Sequence, residues 1–246
     1  MGLLALAIAP GLAICLFIYR KDRHNKEPVW MLLLAFVLGV LSIIPAVATE
    51  TAYPVSINEL GNQSTASVAF FAYGIVALSE EASKFLVILL FLYPRKHFDD
   101  PFDGIVYAVL VSMGFATIEN VGYVYQYGLN TALLRMFLSV PGHATFAVLM
   151  GYFIGLAKFK KTGSWVSLTT GLLLAVLFHG TFDFFLFADS NGLLALGAIV
   201  SFIVALWLSF KAIRKKQQVS AQYFEEKLKH EEEDKFNLIS HNEPLK

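Results

Sequence analysis

Residues 29–49 read VWMLLLAFVLGVLSIIPAVAT, a run of 21 residues without a charged side chain. A helix needs about 20 mainly apolar residues to cross the hydrocarbon core of a bilayer. Similar runs recur along the chain, and only 15% of its 246 residues are charged, whereas soluble domains carry about 25%. The sequence therefore predicts an all-α fold, a polytopic membrane helical bundle.

About seven transmembrane helices are predicted from these runs, and the third to fifth carry charged residues. The predicted spans are residues 2–19, 29–49, 67–92, 103–127, 132–157, 165–187 and 193–213.

The distribution of lysine and arginine predicts the orientation of the bundle. With the N-terminus outside and the C-terminus cytoplasmic, 17 of the 19 basic residues lie in cytoplasmic segments, if Lys211 at the cytoplasmic end of the last span is counted with the tail. The other two, Lys84 and Arg135, lie within spans. Basic residues favour the cytoplasmic side, so we expect a multi-pass protein of the cell (plasma) membrane. Residues 1–213 are predicted to form the transmembrane domain, and residues 214–246 a charged cytoplasmic tail.

The composition excludes several kinds of site. Cys15 is the single cysteine, so neither an intramolecular disulfide nor a cysteine-based zinc cluster can form. The basic residues are scattered in short loop clusters, so we expect no nucleic-acid partner. The lipid bilayer is the expected surrounding, and the sequence does not fix an oligomeric state.

Ionisable and strongly polar side chains occur inside the predicted spans. A charge at mid-bilayer costs roughly 2.5–3.5 kcal/mol even on lenient scales, so such residues indicate function. Nine residues belong to this set: Glu80, Glu81, Lys84, Glu119, Asn120, Arg135, His143, His179 and Asp183.

Depth along the spans brings four of these residues together. At a rise of about 1.5 Å per residue, Glu80, Glu119, His143 and His179 fall within about two helical turns of one another. They come from four spans that alternate in direction. We therefore expect a shared polar pocket in the outer half of the membrane.

Spacing within each helix predicts two pairs. Glu80 and Lys84 are four residues apart, and their salt bridge would leave Glu81 free. His179 and Asp183 are also four apart, so the carboxylate can fix the tautomer of the imidazole.

Small residues share helix faces with the polar ones, and such faces let helices approach closely in membranes. These rows are Gly104, Ala108, Ser112, Ala116 and Asn120; His143, Ala147, Gly151 and Gly155; and Gly171, Ala175, His179 and Asp183.

Carboxylates and imidazoles together indicate activation of water, by either of two mechanisms. In the first, Glu80 or Glu81 is the general base, and the histidines with Asn120 bind the oxyanion. In the second, His143, His179 and one glutamate (Glu80, Glu81 or Glu119) hold one divalent metal ion, with zinc expected. The alternative class is an ion- or proton-coupled transporter, in which intramembrane Glu, His and Lys residues relay ions.

Four ordered motifs lie between residues 80 and 183. They are Glu80-Glu81-Ala-Ser-Lys84; Asp103-Gly-Ile-Val-Tyr107 with Gly114-Phe115-Ala116-Thr-Ile-Glu119-Asn120; Pro141-Gly142-His143; and His179-Gly180-Thr-Phe-Asp183. Together they resemble the PrsW family of intramembrane proteases, which is distantly similar to the CAAX prenyl proteases. Where the family pattern favours glycine, this chain has the small residues Ala108 and Ser112, so we expect close packing to survive.

The resemblance implies a peptidase that cuts a single-pass membrane protein near its extracytoplasmic side, with an anti-sigma factor as one candidate substrate. It implies catalytic roles for Glu80, Glu81 and His179 first, and for Glu119 and His143 next. Lys84, Asn120 and Asp183 are predicted to support them.

Overall fold

The computed structural model describes residues 2–54, 59–60, 63–159, 163–188, 192 and 194–241, and the side chains as far as Glu233. Every regular element in these ranges is a helix. The α-helices are α1 Gly2–Lys21, α2 Val29–Leu41, α3 Ile43–Ala52, α4 Thr65–Ala69, α5 Leu78–Val87, α6 Asp103–Tyr127, α7 Leu129–Phe137, α8 Ser139–Phe159, α9 Ser164–Phe187 and α10 Ala195–His241.

The chain forms a helical membrane bundle, as the apolar runs predict. Within the described residues, six helical segments are long and apolar enough to cross a membrane. They correspond to six of the seven predicted spans and are Gly2–Lys21, Val29–Ala52, Asp103–Tyr127, Leu129–Phe159, Ser164–Phe187 and Ala195–Glu233.

The remaining predicted span lies in a helix that is continuous from Thr65 to Leu92, which we call the Glu-Glu helix. It joins α4 and α5 through a π-helical segment, Phe70–Ala77, and ends in a second one, Ile88–Leu92. π-Helical turns inside α-helices are rare and occur frequently at functional sites. Here the first π-helical segment lies directly before the helical turn that carries Glu80 and Glu81.

Two of the predicted spans are broken in the structure, each just before a proline. The segment 29–49 bends at Ser42, three residues before Pro45, and the segment 132–157 is interrupted at Leu138, three residues before Pro141. Proline removes a backbone donor and its ring clashes with the carbonyl of the preceding turn. The span predicted over 132–157 is present within the segment Leu129–Phe159, but it is divided into α7 and α8, so that His143 lies near the start of α8.

Helix α6 is the centre of the bundle, and α1, α2 and α8 pack around it. A Cβ atom added to Gly104 would lie 2.4 Å from the carbonyl oxygen of Gly151 on α8. One added to Gly114 would lie 2.0 Å from the carbonyl oxygen of Phe36 on α2. The backbones are thus in direct contact, which confirms the close packing predicted from the small-residue rows.

The loops before α2 and before α6 lie at the N-terminal end of α6 and carry several buried carboxylates. Asp22 and Asp103 are almost fully buried. Burial, together with repulsion from Asp100, raises the pKa of Asp22 to about 7. Helix α10 packs against this end, where the hydroxyl of Ser220 donates to Asp100 over 2.5 Å.

Candidate active site

Four side chains from three helices converge on one point inside the bundle. Glu80 and Glu81 come from the Glu-Glu helix, His143 from α8 and His179 from α9, and all four are buried. One carboxylate oxygen or ring nitrogen of each lies within 4.8 Å of those of the other three. The structure thus brings together the two glutamates and the two histidines that the sequence singled out. We call these four residues the Glu-His cluster.

The ammonium group of Lys84 lies inside the Glu-His cluster. Its Nζ atom is 3.1 Å from Glu80 Oε2, 2.8 Å from Glu81 Oε1 and 3.3 Å from His143 Nδ1. The predicted salt bridge to Glu80 is therefore present, but the expectation that Glu81 would be free was wrong. Positions i and i+3 also face each other on a helix, so one lysine can bridge both carboxylates.

Both histidines are held at their outer ring nitrogen by a further carboxylate. His179 Nε2 lies 3.2 Å from Asp183 Oδ2, as the i, i+4 spacing predicts, while its Nδ1 lies 2.9 Å from Glu81 Oε1. His143 Nε2 lies 3.0 Å from Glu119 Oε2. Both rings therefore direct Nδ1 toward the cluster and Nε2 toward an outer carboxylate, Asp183 or Glu119.

Arg135 completes the outer contacts of the site. One of its terminal nitrogens lies 2.6 Å from Glu119 Oε2, and its Nε donates to Asn120 Oδ1 over 3.1 Å. The amide of Asn120 in turn donates to the carbonyl oxygen of Ala7 over 2.9 Å. Asn120 thus lies outside the Glu-His cluster and joins α1, α6 and α7.

Aromatic rings fix the positions of the cluster side chains. Phe146 stacks on His179 with ring centres 5.2 Å apart, and Phe115 lies under the Lys84 ammonium at 4.0 Å. Ring packing of this kind limits the rotation of the imidazole and stabilises the cation. The cluster is therefore preorganised.

A cavity of about 620 Å³ leads to the cluster. Its polar lining includes Glu80 and both histidines, together with the carboxylate of Glu50. Glu119, Arg135 and Asp183 also line the cavity, and most of the remaining wall consists of apolar side chains from the Glu-Glu helix, from α8 and from the ends of α7, α9 and α10 that face it. They include Leu134, Leu138, Leu186, Phe187 and Ile199. The volume falls in the range of small-molecule and peptide pockets.

Sequence reasoning missed the roles of two charged residues of this cavity, Arg135 and Glu50. Arg135 is one of the ionisable residues inside the spans, but the sequence assigns it no partner, because Glu119 lies on another helix at no regular spacing. Glu50 directly follows the uncharged run 29–49 and lies outside the predicted span. Helix α3 continues past the apolar run to Ala52 and therefore includes Glu50. The only local sign of this in the sequence is that a carboxylate directly follows the apolar run.

The Glu-His cluster offers the kinds of ligand atom that hold a metal ion. Two carboxylates and two imidazoles form a ligand set that zinc accepts. The Oε2 atom of Glu81 is buried and has no hydrogen-bond partner among the described residues. Outer carboxylates on the far nitrogen are also usual for histidines that bind metals. The set thus fits a divalent ion in type and spacing, although the ion would displace Lys84 from its contacts.

Comparison with known proteins agrees with this geometry. Residues 27–210 match the PrsW family of intramembrane metalloproteases. Protease PrsW of Bacillus subtilis is 37% identical over 207 residues, which cover 84% of this chain and 91% of that protein. Protease PrsW of Oceanobacillus iheyensis is 38% identical over 208 residues (85% and 92% of the two chains). For Protease PrsW of Geobacillus kaustophilus the identity is 37% over 217 residues (88% and 92%).

No solved structure was found that matches the chain. The family match extends over most of the bundle and includes every residue of the Glu-His cluster. The chain therefore belongs to the PrsW family of intramembrane metalloproteases, and it is a multi-pass plasma-membrane peptidase.

Proposed function

We propose that the chain hydrolyses a peptide bond of a single-pass membrane protein near the extracytoplasmic side, with water activated in the Glu-His cluster. One observation carries the proposal: two glutamates and two histidines, each held by further polar groups, meet at the end of a largely apolar cavity. A water molecule and a segment of substrate backbone can meet there, shielded from bulk solvent.

Glu80 is the proposed general base, because it lines the cavity whereas Glu81 is engaged by Lys84 and His179. Glu80 takes a proton from water while the water oxygen bonds to the carbonyl carbon of the substrate. When its ring is protonated, His143 or His179 donates its inner N–H to the oxyanion that forms. The C–N bond then breaks, and Glu80 returns its proton to the departing amine nitrogen.

A metal ion would be held by Glu80, Glu81, His143 and His179, and would supply Lewis-acid activation of the water. Without the ion, the ammonium of Lys84 provides the positive charge that stabilises the two carboxylates. In both cases Asp183 and Glu119 orient the imidazole rings.

The cavity supports cleavage near the extracytoplasmic surface. Its walls come from the C-terminal halves of α6 and α9 and from the N-terminal ends of α8 and α10. In the orientation predicted from the basic residues, these ends face outward. A single-pass anti-sigma factor is the substrate class that we propose to test first.

The first experiment measures cleavage of a tagged single-pass anti-sigma factor that is co-expressed with the chain. We expect Glu80→Gln and His179→Ala to insert and fold but to lose cleavage at least about 100-fold, because each removes a group that acts on the water or the oxyanion. Glu226→Gln, on the exposed part of α10, is the matched control and should cleave normally.

Full cleavage by both active-site variants would refute the proposed roles. If the wild-type chain leaves the anti-sigma factor intact but cuts other single-pass proteins in a tagged panel, the substrate class is wrong and the peptidase mechanism still stands.

A second experiment decides between the two ways of activating water. Metal content is measured on the purified chain, and cleavage is measured before and after chelation. Loss of cleavage that zinc restores supports the metal-dependent mechanism. Cleavage that survives in demonstrably metal-free protein supports Glu80 with Lys84 as the neutralising cation.

A further inference from the structure

A second group of carboxylates lies far from the Glu-His cluster. Glu27 precedes α2, Asp99 lies in the loop before α6, and Asp103 is the first residue of α6. Asp103 and Glu119 are 16 positions apart on the same helix, or about 24 Å along its axis. Asp103 and Tyr107 belong to a motif noted in the sequence that the active site does not use.

The three carboxylates are close enough to share one ion. One oxygen of each lies within 4.8 Å of the oxygens of the other two. Glu27 and Asp103 are buried, whereas Asp99 is exposed and offers a path from solvent. We call Glu27, Asp99 and Asp103 the acidic triad.

The hydrogen bonds of the acidic triad hold its members in place but do not use all their oxygens. Asp103 Oδ2 accepts from the backbone N–H groups of Asp99 and Asp100, over 2.9 and 2.7 Å. Glu27 accepts from the hydroxyl of Tyr107. Asp103 Oδ1 is fully buried and has no hydrogen-bond partner among the described residues. A buried carboxylate oxygen without a donor requires either a bound cation or a proton shared with the neighbouring carboxylate, here Glu27.

Basic side chains do not neutralise the acidic triad. In the part of the chain that the structure describes, none of the ion pairs includes Glu27, Asp99 or Asp103. Lys158 instead donates to the carbonyl oxygen of Tyr93, and Lys26 lies over the ring of Tyr19. Buried charges in proteins are paired or coordinate metals.

From this geometry we propose that Glu27, Asp99 and Asp103 bind a hard divalent cation, of the Mg²⁺ or Ca²⁺ class, at the end of the bundle opposite the active-site cavity. The donors are all oxygens, which such cations prefer, and neither an imidazole nor a thiol is among them. The exposed side at Asp99 leaves room for the water ligands that Mg²⁺ usually keeps.

The bound cation would join three segments of the chain. Glu27 fixes the loop between α1 and α2, and Asp99 fixes the loop that follows the Glu-Glu helix. Asp103 fixes the start of α6, beside Gly104, where α6 and α8 are in backbone contact. The cation therefore stabilises the end of the bundle at which the Glu-Glu helix terminates, opposite the active site.

The test is thermal unfolding of the full-length chain, purified in detergent and stripped of metal. Addition of Mg²⁺ or Ca²⁺ should raise the unfolding midpoint by about 5 °C or more at saturation. Asp99→Asn should lose most of this shift and keep the fold, because the side chain of Asp99 is exposed and bonds only to Asn25 among the described residues. Asp103→Asn, which keeps the shape of the side chain, should also lose it.

Two controls separate the acidic triad from other sites. Glu226→Gln removes an exposed carboxylate from α10 and should keep the full shift. The double variant Glu80→Gln/His179→Ala should also keep it, so the result does not depend on the proposed function of the Glu-His cluster. Equilibrium dialysis with Mn²⁺ should show one ion bound to this double variant and none after Asp99→Asn is added.

Two results would overturn the cation site. One is the absence of a shift with both Mg²⁺ and Ca²⁺ up to about 10 mM, tenfold above the range of weak calcium modules. In that case Glu27 and Asp103 share a proton instead. The other is an equal shift in the wild type and in both Asp99→Asn and Asp103→Asn.

Discussion

Each histidine of the Glu-His cluster lies between carboxylates on both sides. His179 has Glu81 at Nδ1 and Asp183 at Nε2, and His143 has Glu119 at Nε2 with Glu80 4.0 Å from Nδ1. A carboxylate on the outer nitrogen holds the ring proton there, so that the inner nitrogen of the neutral ring is an acceptor or a metal ligand, and it donates only when the ring is protonated. Asp183 and Glu119 therefore control the orientation and the proton position of the two imidazole rings, and with them the catalytic role of each Nδ1 atom.

Replacement of Asp183 by asparagine tests this role. We expect Asp183→Asn to keep the fold and to lower the rate of substrate cleavage by about 10- to 100-fold, because His179 loses the charge that orients its ring. Thr170→Val, elsewhere on α9, is the control, since its hydroxyl bonds only to its own helix. An unchanged rate in Asp183→Asn would show that Phe146 and Glu81 are enough to orient the ring.

Removal of the ammonium from the cluster should affect stability. Lys84→Met leaves Glu80 and Glu81 buried without their cation, and loss of one partner of a buried ion pair costs about 3–5 kcal/mol. We expect unfolding by denaturant, measured with chelator present, to occur at lower concentration for Lys84→Met but not for the exposed Lys215→Met. Adding Glu80→Gln to Lys84→Met should recover part of the loss, and no difference from the wild type would contradict the assigned contacts.

The sequence was sufficient to identify the inner residues of the site but not all the outer ones. Glu80, Glu81, His143 and His179 were recognisable because ionisable groups in apolar runs are costly. Arg135 has the same property, yet its partner could not be read from the sequence. The helix break at Leu138 turns α7, and this turn lets Arg135 reach Glu119.

Among the helices, α6 makes its main contacts through backbone atoms. Glycines at the interface let α2 and α8 approach closely, and this approach brings His143 on α8 next to Glu119 on α6. In membranes helix association relies on such packing, because lipid tails are as apolar as the side chains. A small change of volume at these glycines should therefore have a large effect.

Two glycines of the same helix provide a matched test. At Gly114 a Cβ atom would overlap the backbone of α2, whereas at Gly122 nothing lies within 4 Å. We expect Gly114→Ala to lower the free energy of unfolding by about 1–3 kcal/mol, the usual range for overpacking. Gly122→Ala should leave it unchanged or raise it by up to about 1 kcal/mol through helix propensity. Equal stabilities of the two variants in a denaturant titration would argue against direct contact at Gly114.

At the scale of helices, hydrophobic runs predicted the spans well but did not predict their internal breaks. The mean hydropathy of an apolar run is the same whether its helix is continuous or interrupted. Pro141 belongs to one of the sequence motifs, and its ring also prevents the preceding turn from continuing as regular helix. The π-helical segments of the Glu-Glu helix have no signal in the hydropathy pattern. The first of them packs against α9, where the hydroxyls of Tyr73 and Thr181 lie 2.8 Å apart.

The molecule as a whole has two polar ends with different chemistry. One end contains the Glu-His cluster and its cavity, and the other contains the acidic triad and the start of the charged tail. Helix α10 extends from the first end to the second and continues to His241. Its residues Lys216 and Ser220 are buried, whereas residues 225–233 are exposed. The boundary of the tail at residue 214 stays a prediction.

Truncation of α10 at two positions tests what the tail contributes. Deletion of residues 225–246 should leave cleavage and thermal stability unchanged, because this segment is exposed as far as the structure describes its side chains. Deletion of residues 216–246 also removes the bonds of Gln217 to Lys21 and of Ser220 to Asp100, each worth about 0.5–1.5 kcal/mol. It should lower the unfolding midpoint. Loss of cleavage in the shorter deletion would assign the tail a role in substrate selection.

The buried charges of the Glu-Glu helix also have a consequence for how the protein is made. Glu80, Glu81 and Lys84 enter the bilayer before their partners His143 and His179 exist, since these lie about 60 and about 100 residues later in the chain. At about 5–20 residues per second, the ribosome needs several seconds to supply them. During that interval only contacts within the helix offset an insertion cost of roughly 2.5–3.5 kcal/mol per charge. The helix that carries the two glutamates therefore settles fully only after α9 has been synthesised, and a nascent chain that stalls before α9 should be a target for quality-control proteolysis.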